Sequence, residues 1–360
     1  MNFLRILQVF PHVYTQATVG GGILEYVRNI SERLGKKHDV TIFSTASGSF
    51  SRYEEINGVK IERFQRLAPG RAYFLSLDMA LRLFKSDFDV VHAHCYQAFP
   101  AHFSILAKRK KLILSTHFHG VGHSNFRNSL LRIAKPFGER TLQVADKIIA
   151  VSKYEKNLLC NYFQIDSDKI EVIPCGVNFD EFNQLKKQKR PFNSILYVGR
   201  LRDYKGPQFL VEVLPKLDKD VLLEIVGTGP MQILLKARAK ELNVLDRITF
   251  YQDLPRSALL QKFVNADIFV LLSKFEAYSM AVAEALVAGT PCIVADTTAL
   301  SEWIDNKNCF GIDYPINLNS LANLIKEVIK NKEANKTISK SEKIQDWNKV
   351  VEQLECVYEN

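Results

Sequence analysis

Short apolar segments alternate with amphipathic helical stretches along the whole chain, and this alternation limits the folds that the chain can adopt. Continuous apolar runs that are each followed by a helical pattern are typical of strands in a parallel sheet with helices on both faces. The alternation therefore predicts an α/β fold. The predicted strands cover residues 4–10, 40–44, 59–64, 90–93, 112–115, 147–151, 170–174, 195–199, 222–226, 248–251, 268–272 and 292–295.

The length of the chain, 360 residues, predicts two domains. A polar segment that ends in proline, residues 186–191, is interpreted as the linker, so we expect domains at 1–186 and 187–339. From about residue 340 onward, the pattern predicts a polar helix whose apolar stripe includes Trp347 and Leu354.

Composition and cysteine usage favour a cytoplasmic protein. Hydrophobic residues make up 47% of the chain, yet no apolar run approaches the roughly 20 residues that span a bilayer. The first apolar segment is short and interrupted by Arg5, which indicates a buried strand rather than a signal peptide. The six cysteines show no metal-like spacing, and several lie in apolar segments, which fits a reducing cytosol.

Positive charge is concentrated in the first half of the chain. The net charge is +9, and residues 102–153 hold ten basic and two acidic residues. A basic amphipathic segment of this kind can lie on an anionic membrane surface, which would make the protein peripheral on the inner face of the membrane. A solvated helix face that covers the core is an equally good interpretation. Nucleic acid is not expected as a partner, because no recognition motif accompanies the modest charge excess. The basic residues concerned are 108–111, Arg127, Arg132, Lys135 and Arg140.

Two glutamates, Glu276 and Glu284, lie on either side of a predicted helix start in the second half. Ser279 can cap this helix and Gly289 can end it, so Glu276 precedes the helix and Glu284 lies inside it. The unbonded N–H groups of the first turn, those of Ser279, Met280 and Ala281, can bind an anion between the two carboxylates. Two solvated acids on an amphipathic helix are the alternative.

Two further loops leave predicted strands and lead into helices. Gly199, Arg200 and Lys205 follow the strand at 195–199, and Gly227 follows the strand at 222–226. Open α/β sheets bind ligands at the carboxyl ends of their strands, and glycine allows the backbone to approach a ligand closely. Basic residues on one such loop are often only solvated, but three loops of this kind, two of them charged with opposite sign, predict a ligand-binding site.

In combination, these motifs resemble the signature of the retaining glycosyltransferases of family 4. The first half agrees through residues 20–22 (three glycines before a helix), through His92 and His94 at one strand end, and through His117 at the next. The resemblance covers nearly the whole chain in the correct order. It implies a glycosyltransferase-B fold, in which two doubly wound Rossmann-like domains face each other across a cleft and the last helix returns to the first domain.

The resemblance also implies the reaction and the residue roles. A hexose would pass from a nucleotide-diphosphate sugar to a hydroxyl acceptor, a lipid-linked molecule or a surface glycan precursor, with retention of anomeric configuration and without a metal. Arg200 and Lys205 would neutralise the diphosphate, with Glu276 and His117 at the donor sugar and Glu284 at the ribose. Gly21, Gly22, Gly199, Gly227, Ser279, Met280 and Ala281 would complete the donor site.

Several features leave alternatives open. Many relatives have glycine at the position of Ser279, which leaves the identity of the donor undetermined. Asp87 and Asp89 resemble the metal-binding Asp-x-Asp of other glycosyltransferases, but they directly precede a buried strand and are interpreted as its start. We expect His92 and His94 to point to opposite faces of their strand. A nucleotide-sugar epimerase and a non-catalytic nucleotide-sugar-binding protein remain alternative functions. No cofactor other than the donor substrate is expected.

Overall fold

The computed structural model describes residues 2–14, 21–67, 74–121, 125–331 and 343–359, with only the backbone described for residues 125–134. The chain divides into two compact units. The first comprises Met1–Gly176 together with Trp347–Asn360, and the second comprises Val177–Asp346. Both units are α/β, so the predicted fold class of two Rossmann-like domains is confirmed.

The first unit contains an eight-stranded sheet in which only the edge pair β3–β4 is antiparallel. The strand order is β3-β4-β2-β1-β5-β6-β7-β8. The strands β2 to β4 therefore lie on one side of β1, and β5 to β8 follow on the other side. The strands and helices are β1 (Arg5–Phe10), α1 (Gly22–Leu34), β2 (Asp39–Ala46), β3 (Tyr53–Ile56), β4 (Val59–Gln65), α2 (Leu77–Phe84), β5 (Asp87–His94), α3 (Phe99–Phe103), β6 (Lys108–Ser115), α4 (Asn125–Val144), β7 (Lys147–Ala150), α5 (Lys153–Phe163) and β8 (Ile170–Val172).

The second unit contains a six-stranded parallel sheet of order β12-β11-β10-β13-β14-β15. Its elements are β9 (Gly176–Val177), α6 (Asp180–Asn183), β10 (Asn193–Val198), α7 (Pro207–Val213), β11 (Val221–Val226), α8 (Gln232–Glu241), β12 (Ile248–Tyr251), α9 (Arg256–Asn265), β13 (Ile268–Leu271), α10 (Met280–Val287), β14 (Cys292–Ala295), β15 (Cys309–Ile312), α11 (Leu318–Lys330) and β16 (Gln345–Asp346). The central strands are buried on both faces, which explains why their sequences are continuously apolar.

The last helix, α12 (Trp347–Glu359), belongs to the first unit. The side chain of Trp347 is buried there and makes an edge contact with Tyr26 of α1, with ring centroids 5.6 Å apart. The Tyr358 hydroxyl lies 2.6 Å from Nδ1 of His92 on β5. The apolar stripe predicted for this segment therefore packs on the first unit.

The division between the units lies ten residues before the linker predicted at 186–191. The polar residues of that segment pack on the second unit instead of forming a free linker. Lys187 Nζ lies 3.0 Å from Oδ1 of Asp267, and Arg190 Nη1 lies 3.0 Å from Oε2 of Glu224. Each ion pair joins a basic residue of the segment to a buried carboxylate of the sheet, which is why a polar sequence here does not indicate a flexible connection.

One of the basic segments, residues 108–111, does not form the solvated helix face that the sequence allows, and the side chains of Arg127 and Arg132 lie outside the described residues. Residues 108–111 form the start of β6, where the exposed ammonium groups of Lys108 and Lys110 pair with Asp87 and Asp89 of β5. Asp89 also accepts a hydrogen bond from the backbone N–H of Arg5. These contacts lower the pKa of Asp89, chiefly through that backbone hydrogen bond. Both aspartates therefore lie at the start of a strand and bind basic side chains.

Candidate active site

The charged loops of the second unit meet between β10 and β13. At this position the strand order switches sides, because β11 and β12 lie on one side of β10 whereas β13, β14 and β15 lie on the other. Strand β10 lies between β11 and β13, and the loops that leave β10 and β13 flank this position at the carboxyl edge of the sheet. The first loop carries Arg200 and Lys205, and the second carries Glu276. A crevice outside the carboxyl ends of two such strands is where doubly wound sheets bind ligands.

Lys205 and Glu276 form an ion pair across this position, with Nζ 2.5 Å from Oε1. Both side chains are mostly buried, with exposed fractions of 17% and 12%. Ser273, at the end of β13, donates its hydroxyl to the same carboxylate oxygen at 2.8 Å. The loops after β10 and β13 are therefore fixed to each other. Arg200 is exposed at the same loop, and its backbone carbonyl accepts a hydrogen bond from Tyr197.

The loop that carries Glu276 is held by the segment that follows β14. The N–H of Glu276 donates to Oγ1 of Thr298 at 3.0 Å, and Thr297 Oγ1 donates to the carbonyl of Ser273 at 2.7 Å. Further along the loop, the indole N–H of Trp303 donates to the carbonyl of Tyr278 at 2.7 Å. These bonds hold the loop at both ends and therefore restrict the position of Glu276 within it.

Helix α10 begins directly after this loop, as the sequence predicts, but Ser279 does not cap it with its side chain. Ser279 has φ +84°, a conformation that glycine adopts without strain and that other residues seldom adopt. Its hydroxyl makes no hydrogen bond to the first turn, so Ser279 does not cap the N–H groups of Met280 and Ala281. Gly289 has φ +72° and ends the helix as predicted, with its N–H bonded to the carbonyl of Leu286.

Glycines allow the loops of the second unit to pack backbone against backbone. Gly227 has φ +143°, and a Cβ at this position would overlap the carbonyl oxygen of Gly199. Gly206 has φ +75°, and a Cβ there would overlap the carbonyl oxygen of Leu272. The close approach that the sequence predicts at Gly227 is thus made to the neighbouring loop at Gly199, and it brings the ends of β10 and β11 together.

Glu284 lies on α10 with its side chain only 8% exposed, and it binds Arg256. Nη1 of Arg256 lies 2.5 Å from Oε1 of Glu284, while Nη2 lies 2.9 Å from Oε2 of Glu181 on α6. Although burial opposes the charge of Arg256, Glu284 and Glu181 together raise its pKa. Sequence reasoning did not find Arg256 or Glu181, because both partners are distant from Glu284 in the chain.

In the first unit, two of the three glycines at residues 20–22 are described. Gly21 precedes α1 in an extended conformation, and Gly22 is the first residue of the helix. Both are exposed. The N-terminus of α1 consequently presents backbone without side chains, as predicted, while Gly20 lies outside the described residues.

His117 follows the end of β6 with φ +48°, and its ring lies between two others of the first unit. It stacks on His94 with centroids 5.9 Å apart and meets the edge of Tyr26 at 5.1 Å. Its buried Nε2 makes no hydrogen bond with any of the described residues. Burial lowers the pKa of His117 to about 4, so the ring is neutral at neutral pH.

His92 and His94 share one face of β5, so the prediction that they point to opposite faces is wrong. Residues two apart on a strand lie on the same side, and the two rings are 4.3 Å apart. His92 Nε2 lies 2.8 Å from the hydroxyl of Ser115, and Nε2 of His94 lies 2.7 Å from Oε1 of Gln8. Burial lowers the pKa of both histidines, to about 3 for His92. Both rings belong to the buried packing of the first unit.

A buried carboxylate, Glu155, fixes the loop that carries His117. It accepts hydrogen bonds from the Thr116 hydroxyl and the Phe118 N–H on either side of the histidine, and from the Val151 N–H at 2.7 Å. Its own N–H donates to the Ser152 hydroxyl at 3.0 Å, so the Ser152 side chain caps the N-terminus of α5. Burial raises the pKa of Glu155 to about 7. The serine and glutamate three residues apart are a sequence signal that could have indicated this contact.

Two further observations concern metal ions and the membrane. Among the residues with described side chains, no cluster of three or more His, Cys, Asp or Glu has the arrangement of a metal site. No helix in the described part of the chain is both long and apolar enough to cross a bilayer.

Comparison with known proteins agrees with the fold. The sequence model of Glycosyltransferase Family 4 matches residues 20–181, and that of the Glycosyl transferases group 1 matches residues 178–345. An uncharacterized glycosyltransferase of Methanocaldococcus jannaschii is 26% identical over 84% of this chain and 83% of its own length. A GDP-mannose-dependent alpha-(1-6)-phosphatidylinositol monomannoside mannosyltransferase of Mycolicibacterium smegmatis is 24% identical over 79% of each chain.

Solved structures share the whole architecture at low sequence identity. Sucrose-phosphate synthase from Thermosynechococcus elongatus aligns with a TM-score of 0.82 at 18% identity, over 99% of this chain and 98% of its own. The Anabaena protein HepE, in complex with UDP-glucose, aligns with a TM-score of 0.78 at 18% identity over 99% of both chains. The two sequence models together span residues 20–345 in the order that the two units require. The chain therefore belongs to glycosyltransferase family 4 and has the glycosyltransferase-B fold.

Proposed function

We propose that this glycosyltransferase moves a hexose from a nucleotide-diphosphate sugar to a hydroxyl acceptor, with retention of anomeric configuration and without a metal ion. The observation that carries the proposal is the Lys205–Glu276 ion pair beside the N-terminus of α10, at the carboxyl edge where the sheet reverses direction. This arrangement offers a positive charge for a diphosphate and, directly beside it, a carboxylate for sugar hydroxyls.

Sugar transfer leaves a nucleoside diphosphate whose negative charge must be stabilised. Lys205 contributes a nearly buried ammonium, and the exposed Arg200 can bind phosphate oxygens with its planar guanidinium. The first-turn N–H groups of Met280 and Ala281 add donors and the positive end of the helix dipole. In a site with little water, these fixed charges stabilise the leaving group without rearranging during the reaction.

The Glu276 carboxylate is suited to hold the donor sugar. Lys205 and Ser273 both bind its Oε1, so Oε2 is the oxygen that can accept hydrogen bonds from sugar hydroxyls. In the proposed reaction, the acceptor hydroxyl attacks the anomeric carbon on the face from which the phosphate leaves. The bond from the anomeric carbon to the phosphate oxygen breaks, and the departing phosphate takes the acceptor's proton.

Similar proteins support a nucleotide-sugar donor but differ in the base. HepE was solved with UDP-glucose, whereas the mycobacterial relatives are named as GDP-mannose-dependent enzymes. A lipid-linked acceptor is part of the proposal, because those relatives act on phosphatidylinositol monomannoside and this chain has a net charge of +9. Sedimentation with phosphatidylglycerol vesicles tests this part. Equal binding to vesicles of phosphatidylcholine alone would contradict it.

The donor is tested by thermal shift against a panel of UDP, GDP and ADP sugars and the free nucleotides. A ligand that binds only the folded protein raises the melting temperature. We expect one base to give a selective shift that Glu284→Ala abolishes. Transfer is then followed with the selected donor. Isomerisation of the donor in the absence of any acceptor would identify an epimerase instead, and binding without transfer to any of a panel of acceptors would indicate a non-catalytic protein.

A further inference from the structure

Arg256 is the basic residue that contacts the proposed ribose-binding carboxylate, and its guanidinium is held at both ends. One end, Nη1, binds Oε1 of Glu284, while Nε and Nη2 bind Oε2 of Glu181 at 3.2 and 2.9 Å. The three side chains come from the helices α9, α10 and α6 of the second unit. A planar guanidinium bound by two carboxylates cannot rotate freely, so it fixes the orientation of each partner.

The exposure of the three side chains gives them different roles. Glu284 is 8% exposed, whereas Arg256 and Glu181 are 34% and 35% exposed. A nearly buried carboxylate is costly unless a positive charge and hydrogen bonds accompany it. Arg256 supplies both to Glu284, while Glu181 holds Arg256 from the solvent side.

We infer that Arg256 is a positioning residue for nucleotide recognition, which acts by fixing the Glu284 carboxylate so that it accepts hydrogen bonds from the ribose hydroxyls. This inference rests on the proposed function of the donor site. Because Oε1 of Glu284 is bound to Arg256, the direction of the whole carboxylate, including Oε2, is set before the nucleotide binds. A preoriented acceptor binds a diol more tightly than one that must first be ordered.

The inference distinguishes Arg256 from a residue that only ties helices together. Loss of a structural tie lowers thermal stability and leaves the affinity of the remaining folded protein unchanged. Loss of a positioning residue weakens the nucleotide through Glu284, so its effect depends on Glu284 being present. A double-mutant cycle measures this dependence.

The experiment is calorimetric titration of UDP, GDP and ADP into the wild-type protein, followed by titration of whichever binds into Arg256→Ala, Glu284→Ala and the double variant. We expect Arg256→Ala to weaken binding about tenfold or more, in keeping with a lost hydrogen bond to a charged group. In the Glu284→Ala background the same change is expected to have less than about a twofold effect. The 2′,3′-dideoxy nucleotide is expected to bind wild type and Arg256→Ala almost equally.

Several outcomes would overturn the inference. Unchanged affinity in Arg256→Ala, or an equal loss in both backgrounds, would show that Arg256 does not act through Glu284. Arg256→Lys keeps the positive charge but lacks the planar guanidinium, and it replaces the alanine variant if that variant does not fold. Wild-type nucleotide affinity in Arg256→Lys would also contradict the inference that the guanidinium positions Glu284. Arg190→Ala, which removes another arginine–glutamate pair of the same unit, is the matched control and should leave affinity unchanged. A wild-type protein that binds none of the three nucleotides overturns the proposed function together with the inference.

Discussion

Lys205 and Glu276 are 71 residues apart in the chain, and their side chains meet at 2.5 Å between the loops that leave β10 and β13. The contact joins the two loops that flank the reversal point of the second sheet. Each residue alone would carry an uncompensated charge in a mostly buried position. The ion pair therefore fixes a positive charge and a carboxylate next to each other at the carboxyl edge of the sheet, which is the arrangement that the proposed donor site requires.

Lys205→Ala is expected to lower kcat by about a hundredfold or more, because it removes a fixed charge that stabilises the leaving diphosphate. Glu276→Gln keeps the shape of the side chain and is expected to lower kcat/KM for the donor by a similar factor. Steady-state kinetics with the donor selected by thermal shift measures both effects.

The control for these variants is Lys187→Ala. Lys187 forms a lysine–aspartate pair with Asp267 in the same unit, but it is not part of the proposed site. Its turnover should stay within about twofold of wild type. If all three variants behaved alike, the Lys205–Glu276 pair would be a structural contact only, and the proposed catalytic roles would be wrong.

The fold could be predicted from the sequence to a large extent, because buried parallel strands are continuously apolar. The strands that were missed do not have this property. Strand β3 is mostly exposed and lies at the edge of its sheet, β15 is interrupted by Gly311, and β9 and β16 are each only two residues long. A polar sequence alone also does not distinguish a solvated linker from a packed segment: Lys187 and Arg190 of the predicted linker pair with buried carboxylates of the second unit, and the division between the units lies ten residues before that segment.

The candidate site was predictable where position along a strand determines position in space. Arg200, Lys205 and Glu276 follow strand ends, and the carboxyl ends of parallel strands lie at one edge of a sheet. Arg256 and Glu181 could not be found in this way. Their contact with Glu284 depends on how three helices pack, which no local pattern in the sequence records.

Ser279→Gly is expected to stabilise the second unit by about 1 kcal/mol, because a side chain with positive φ is strained and glycine is not. Chemical denaturation of the variant measures the difference. Gly289→Ala is the converse control, since Gly289 also has positive φ and alanine there should destabilise by a similar amount. Destabilisation by Ser279→Gly would show that the serine side chain contributes contacts that outweigh the strain.

Buried histidines of the first unit are expected to make the protein less stable in acid. The pKa of His92 is lowered to about 3 and that of His117 to about 4, while an unfolded histidine has a pKa of about 6.5. Below pH 6.5 the unfolded chain therefore binds more protons than the folded one, so the free energy of unfolding falls as the pH falls. Each such histidine contributes up to about 1.4 kcal/mol per pH unit in this range.

Glu155 acts in the opposite direction over part of the same range. Its pKa is raised to about 7, so the folded protein holds a proton that the unfolded chain loses above about pH 4.5. Stability from Glu155 is therefore lost as the pH rises toward 7. Urea denaturation at intervals of half a pH unit should show a steeper acid dependence in Glu155→Gln than in wild type, and a shallower one in His117→Asn. The same slope in all three proteins would contradict both assignments.

Chelation of metal is expected to leave transfer unchanged. In the proposed site, Lys205, Arg200 and the first-turn N–H groups of α10 supply the positive charge that a metal ion would otherwise bring to the diphosphate. Activity measured after dialysis against EDTA should stay within about twofold of the untreated enzyme, and added Mg²⁺ or Mn²⁺ should raise it by no more than that. The affinity of the product nucleoside diphosphate, measured with and without EDTA, should also be the same. If EDTA abolished transfer and either cation restored it, a metal would carry the charge of the leaving group, and the roles given to Lys205 and Arg200 would have to be withdrawn.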